Sequence, residues 1–413
     1  MDNDVHKVNG IDCLYTNTDV LNNKLEELIV FIEKRDIHII AITEIMPKNR
    51  IHDGDYKPDF IIPGFASYCN HDGRGVALFI KESLDYVILN EFDDIHSPSL
   101  VCKVKLPNNE NTIFALCYRS PNSSDTMNEN VNALIDNINK KHNKDKVIIL
   151  GDFNFPEIDW DRELCDKNEN HKASKFLSCI HKNYLHQHVK KPTHHRGIQN
   201  PTLIDLIISN EEDLVQNLTH HPPLGNSHHS ILTFSVDVQP QREKPTPSVP
   251  KSQFHKGDYD SMRRYLTKDE KEWDDLLKDE QSLDEWEATI INKIEEASEI
   301  YIPKKSFNSA HQIKRNFHAP QTLLLDLQMK RKAFKQYTKY PTTENYQQYK
   351  YFRNKVNNGV RRAKRMKEQK VAKDAKLNPK ALFQYVSSKN KTKEKIPDLV
   401  KEDGTKTTST EER

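Results

Sequence analysis

The sequence predicts an α+β domain made of two packed sheets flanked by helices, followed by a helical, basic extension. Three observations lead there. Strand-like apolar runs recur between about residues 10 and 236, helical patterns with three- and four-residue apolar spacing interleave with them, and beyond a proline-rich stretch the pattern becomes purely helical.

The predicted strands are Ile11–Tyr15, Ile37–Thr43, Gly75–Ile80, Leu100–Leu106, Thr112–Tyr118, Val147–Leu150, Leu203–Ile208 and Ser230–Val236. Each is a short run rich in β-branched and aromatic residues, bounded by turn formers. The predicted helices are Asn22–Lys34, Met127–Lys141 and Ser174–Asn183. Asp72-Gly73-Arg74-Gly75 is a hairpin signal. Hairpins mixed with crossovers call for two sheets rather than one.

Pro240–Pro250 holds four prolines in eleven residues and no periodicity, so residues 239–252 are expected to be a linker. Beyond it, Ser282-Leu283-Asp284-Glu285 reads as a capping box for a helix to about Ile300. Pro320 opens a helix to about Tyr337, and Thr343 to Lys376 is a long basic helix with Tyr346, Tyr349, Tyr351 and Phe352 among its cations. The predicted organisation is a domain over 10–238, the linker, a helical basic connector over 253–395 and a tail over 396–413 expected to be disordered.

Composition narrows the function classes. Of 413 residues 35% are hydrophobic and 30% charged, which suits one sizeable core with a polar remainder. The net charge of +1 hides an asymmetry, because residues 301–400 carry 25 Lys/Arg against 6 Asp/Glu. A surplus of that size calls for a polyanion, and phosphate contacts along nucleic acid are the expectation. Its plainer reading is a solvated helical face. Six scattered cysteines without CxxC spacing suit a reducing compartment, and no stretch approaches a membrane span. No membrane partner is expected.

Gly151-Asp152-Phe153-Asn154 closes the run Lys146–Leu150. An Asp and an Asn two residues apart at a strand end project to the same side, where both can serve one substrate phosphate. Alone, the tetrad is equally an Asx-type turn. Its company favours chemistry: Glu44 ends another run, Asp205 lies inside a third, and His228-His229 opens a fourth. A buried lone carboxylate such as Asp205 is costly without a cation or imidazole beside it. Glu44 and Asn17 form a hard-oxygen set suited to Mg²⁺ or Mn²⁺. Asp152 is then free to act as base, Asn154 to position water or a phosphate oxygen, and a histidine oriented by Asp205 to stabilise developing charge. Such a set performs metal-assisted phosphodiester hydrolysis. Asn17 also reads as a helix-entry cap and Tyr118 as an edge aromatic, while His194, His195, His220 and His221 are given no role.

The ordered set Asn17, Ile42-Thr43-Glu44, Tyr118-Arg119-Ser120-Pro121, Gly151–Asn154, Pro201–Ile207 and Leu224–His229 resembles the endonuclease/exonuclease/phosphatase superfamily. More narrowly it looks like the apurinic-type endonuclease domain of non-LTR (LINE-like) retrotransposons. The resemblance covers roughly residues 10–238. It implies a four-layer αββα sandwich, Glu44 as ligand of Mg²⁺ (or Mn²⁺) with Asn17 beside it, and Tyr118 on the scissile phosphate. It also implies Asp152 and Asn154 on the nucleophile and Asp205 orienting His229. In such elements the domain nicks target DNA, and the 3′-hydroxyl primes reverse transcription. DNA is the implied partner, the 301–400 region a contact for element RNA, and the nucleus the implied location, with Arg361-Arg362-Ala363-Lys364-Arg365 a basic signal or a helix face.

The chain ends at Arg413 without a Tyr-x-Asp-Asp polymerase motif and looks like a truncated or separately predicted fragment. It departs from the family at Ser227-His228-His229, where the pattern is Ser-Asp-His. Spacing favours His228 standing for the Asp, with His229 catalytic, and predicts reduced Mg²⁺-dependent nicking that Mn²⁺ partly restores. Two alternatives are a catalytically decayed copy that only binds nucleic acid and a phosphatase of phospholipids or inositol phosphates. The basic connector weakens the latter. Residues 49–58 and 186–200 are expected to carry target-site preference.

Overall fold

A computed structural model of the chain describes residues 10–33, 35–48, 58–92, 97–106, 110–236, 251–252, 254–267, 283–305, 319–376 and 379–387. Most of the linker, the cap residue Ser282, most of the loop 49–58 and the tail 396–413 lie outside them.

Two six-stranded mixed sheets form the centre. In spatial order the first is β13 (Val215–His221), β14 (Ile231–Val236), β1 (Ile11–Asn17), β2 (Ile39–Thr43), β4 (Val76–Lys81) and β3 (Phe65–Asn70). The second is β11 (His186–Gln187), β12 (Asp205–Ser209), β8 (Lys146–Asp152), β7 (Asn111–Tyr118), β6 (Ser99–Lys105) and β5 (Asp85–Ile88). Each contains one parallel pair, β1 with β2 and β7 with β8, and the remaining pairs are antiparallel.

Alternation along the strands explains the layers. Cys13, Tyr15, Ile39, Leu78 and Phe234 face Val104, Phe114, Leu116, Leu150 and Ile207 in a core between the sheets. On the outer side of the first sheet, Leu14, Ile40, Ile42 and Phe79 pack with Leu28 and Ile32 of α1 (Leu25–Ile32). On the outer side of the second, Ile113, Ala115, Val147 and Ile149 pack with Leu134 and Ile138 of α2 (Asp125–Lys141) and Phe176 and Ile180 of α3 (Lys172–Lys182). The order helix, sheet, sheet, helix is the expected four-layer α+β sandwich. Ser124 caps α2, its hydroxyl accepting the Met127 N–H.

All eight expected strands are present, and the structure adds six more in this body, among them β3, β5 and β13 at or near sheet edges and the two-residue pair Ile158–Asp159 (β9) with Leu164–Cys165 (β10).

Beyond the linker the described residues fall into two units. Residues 242–314 form one, in which Lys251–Ser252 (β15) pairs with Lys304–Lys305 (β16) and α4 (Tyr259–Thr267) packs with α5 (Leu283–Tyr301) through the Tyr265 and Tyr301 rings. Lys251 and Ser252, assigned above to the linker, are therefore paired strand residues.

Residues 315–413 group with residues 1–241. There α6 (Gln321–Lys339) and α7 (Thr343–Asp374) form a hairpin against the sandwich, and α8 (Pro379–Ser387) follows. Leu323, Val356 and Val360 pack on Val30 of α1. Gly359 makes room for Leu323 across the hairpin, since a Cβ there would meet Leu323 Cδ1 at 2.9 Å. Among the described residues no helix is long and apolar enough to cross a membrane.

Candidate active site

The two parallel pairs end side by side. In register, Asn17 stands opposite Thr43 in the first sheet, and Tyr118 and Asp205 both stand opposite Asp152 in the second. Gly151 lets β8 lie this close to β7, because a Cβ on it would stand 2.1 Å from the Cys117 carbonyl oxygen.

Hydrogen bonds then cross from sheet to sheet. Asn17 Nδ2 donates to Asp152 Oδ2 at 2.8 Å, Tyr15 Oη donates to Asp205 Oδ1 at 2.8 Å, and Tyr118 Oη donates to Glu44 Oε1 at 2.8 Å. All six residues are buried. Tyr15 carries no signal in the sequence, since a tyrosine in an apolar strand reads as core.

Asp205 Oδ2 holds His229 Nδ1 at 2.8 Å. Burial alone pushes the His229 imidazole towards neutrality, but Asp205 overrides it and lifts its pKa to about 9. Asp205 itself is held below the usual carboxylate range: burial opposes this, and His229 wins. Its backbone N–H also donates to the hydroxyl of Thr193, a fully buried residue. Asp152 is pushed well above the carboxylate range by burial and then by the Asp205 charge. Its Oδ1 is buried and accepts no hydrogen bond. The cluster is thus an ion pair beside a proton-hungry carboxylate.

Asn154 lies at a positive φ of 52°. Its amide is turned onto the Arg119 carbonyl at 2.8 Å, and Arg119 Nη1 returns bonds to the Phe153 and Asn154 carbonyls. Arg119 is fully buried, with its guanidinium over the Phe155 ring at 4.0 Å. This ties the turn that follows Asp152.

Glu44, at a φ of 54°, shares its second oxygen with Arg74, whose other terminal nitrogen pairs with Asp19 at 2.6 Å. One cation therefore sits between two carboxylates at the edge of a cavity of about 590 Å³ lined in part by Arg74, Tyr118, Ser120 and Met127. Burial, then Glu44, pushes the Tyr118 hydroxyl well above its ordinary value. Two hard carboxylates converging on one positive group are the donor set that Mg²⁺ or Mn²⁺ takes, and the residues fit such an ion. Asn17 is spoken for by Asp152, and its Oδ1 accepts the Asp19 N–H, so its place is beside that set. Asp152, Asp205 and His229 also bring ligand atoms within 4.8 Å of one another. Asp205 and His229 are bonded to each other and Asp152 Oδ1 is buried without a partner, which suits proton handling better.

The seven predicted residues thus fall into two connected sets, one around Asp152, Asp205 and His229 and one around Glu44 and Tyr118, with Asn17 and Asn154 supporting Asp152. His228 is half-buried, and burial followed by Arg196 and Arg353 lowers its proton affinity. His194, given no role above, stands with its ring 4.8 Å from that of His229 and is pushed down to about 4 by burial and His229. Asp19, Arg74 and Tyr15 are the other site residues that sequence reasoning passed over.

Residues 112–233 match the family model described as endonuclease-reverse transcriptase. That match covers less than half of the chain. The matched stretch takes in Tyr118, Asp152, Asn154, Asp205 and His229, while Asn17 and Glu44 precede it.

Solved structures that resemble the chain include the endonuclease domain of TRAS1, a telomere-specific non-LTR retrotransposon (16% identity, 56% of this chain, 100% of that one, TM-score 0.43). A 3′ phosphatase from Neisseria bound to a product DNA hairpin is 15% identical over 55% of this chain and 100% of that one, with a TM-score of 0.40. An AP endonuclease from Archaeoglobus fulgidus is 12% identical over 55% and 100%, with a TM-score of 0.39. Among curated proteins none matches the chain.

Proposed function

We propose that the chain is a divalent-metal-dependent phosphodiesterase that nicks DNA as the endonuclease of a non-LTR retroelement, leaving a 3′-hydroxyl to prime reverse transcription. The observation that carries this reading is the unpartnered, buried Asp152 Oδ1 beside the Asp205–His229 ion pair. A raised proton affinity makes Asp152 a stronger base for the attacking water once ionised, and Asn17 fixes its other oxygen. His229, held protonated by Asp205, has Nε2–H to offer the charge that builds on the phosphate. Tyr118 donates to Glu44 and lines the cavity, and its role in this reading is to meet the same phosphate from there. Asn154 holds the end of β8 in its turn rather than reaching outward. Glu44 and Asp19, with Asn17 beside them, are the residues to hold Mg²⁺ or Mn²⁺, which would supply neutralising charge at the phosphate.

Supercoiled plasmid incubated with the full chain and either metal tests the proposal. The expected product is a nicked circle that a polymerase extends, with rates lowered at least about 100-fold in Asp152→Ala. Equal nicking by that variant would remove Asp152 from the mechanism.

His228 favours a second reading. A largely neutral imidazole near Asp19 adds no negative charge to the metal set, and a decayed enzyme would keep the nucleic-acid contact alone. DNA binding with no turnover in either metal would select it. In both readings the exposed cations of α7, including Arg361, Arg362 and Arg365, serve the DNA backbone or element RNA, and the substrate implies a nuclear protein.

A further inference from the structure

Lys330 is the exception in a basic helix. Its neighbours Arg331, Lys332 and Lys335 are exposed, whereas Lys330 is 2% exposed. Its ammonium donates to Glu27 Oε1 of α1 at 2.5 Å and to the Pro223 carbonyl at 2.7 Å. The other oxygen of Glu27 accepts the Gly225 N–H at 2.9 Å. Lys330 and Glu27 therefore grip both sides of one turn, at Pro223 and Gly225. Gly225 has a φ of 50° and lies against the Lys24 side chain, so the turn has little room to relax.

Two residues on, the Ser227 hydroxyl donates to the Asn17 carbonyl at 2.8 Å and accepts the His229 N–H at 3.2 Å. The grip on the turn is thereby passed to the backbone of His229. The hairpin adds two more ties: Asn357 Nδ2 of α7 donates to Asn226 Oδ1 at 3.1 Å, and Tyr337 of α6 donates to the Gly197 carbonyl, in the segment whose His195 N–H bonds the His228 carbonyl.

We infer that the α6–α7 hairpin is a working part of the active site, in which Lys330, acting through Glu27 and the Pro223–Gly225 turn, is a positioning residue for His229. The inference rests on the reading of His229 as the catalytic imidazole. A basic helix that only coated the surface would leave its lysine in water. Here one lysine is drawn inside and spent on a backbone carbonyl of the histidine turn.

Removing one partner alone strands a buried charge, and such a variant fails for trivial reasons. The pair Glu27→Gln with Lys330→Met removes both charges, keeps an acceptor for Gly225 and releases Pro223. In the full chain this double variant is expected to melt cooperatively, to nick plasmid with kcat reduced roughly 10- to 100-fold and KM unchanged, and to lose the low-field NMR signal of the His229 Nδ1–H to Asp205. Lys330→Arg alone, which keeps the charge and donors opposite Glu27, is expected to retain most of kcat. Wild-type kcat in the folded double variant, or an unaltered His229 signal, would overturn the inference. Wild-type nicking by His229→Ala would instead remove the catalytic reading of His229, and the NMR arm would still decide whether Lys330 positions that ring.

Discussion

Asp205→Asn isolates the charge in the His229 pair, because an amide oxygen can still accept the Nδ1–H. Raising the imidazole from 6.5 to about 9 corresponds to about 3 kcal/mol, at about 1.4 kcal/mol for each tenfold change in proton affinity. The folded value lies above the unfolded one, so this stabilisation is fully present below about pH 6.5 and is lost as pH rises through about 9. The variant should therefore unfold in urea with a deficit that is about 3 kcal/mol larger near pH 6 than near pH 10. Tyr15, which donates to the other oxygen, faces the amide NH2 in the variant and turns its hydroxyl to Thr43 Oγ1 at 3.1 Å, a cost that does not vary with pH and so separates from the charge effect. Plasmid nicking should fall as well, because a neutral imidazole offers less to a phosphate oxygen. A stability deficit of the same size at both pH values would refute the argument, since it would mean that packing rather than the ion pair sets the cost.

Two other substitutions probe the same seam. His228→Asp adds a carboxylate near Asp19 and should raise Mg²⁺-dependent nicking and narrow the advantage of Mn²⁺; equal rates in wild type and variant would show that the substitution is silent. Gly151→Ala forces a methyl group against the Cys117 carbonyl oxygen, so a melt should show a loss of roughly 1–3 kcal/mol together with weakened nicking, and an unchanged melting temperature would contradict the close approach of β7 and β8.

The interior of the fold was legible because its strands are short, apolar and cleanly bounded. Phe65–Asn70, Asp85–Ile88 and Val215–His221 were missed for the complementary reason: edge strands meet water along one side, and their mixed residues blur the period of two. Within the site, Asp205 was legible because a carboxylate inside an apolar run demands a partner, and His229 is that partner. Tyr15 was hidden by looking like core, and Arg74 by sitting in a hairpin turn where any polar residue is unremarked. Lys330 was hidden among cations that look the same in one dimension. Only the approach of α6 to α1 distinguishes it.

The bonds Asn17–Asp152, Tyr15–Asp205 and Tyr118–Glu44 join one sheet to the other. They suture the halves of the sandwich at one end, and they are made by the groups proposed to do the chemistry. Selection for turnover and selection for a correctly registered sandwich therefore act on the same atoms. A lineage that lost its substrate would still be held to most of these residues by folding alone, so an intact-looking site is weaker testimony to current activity than Asp19 and His228, where folding asks for less.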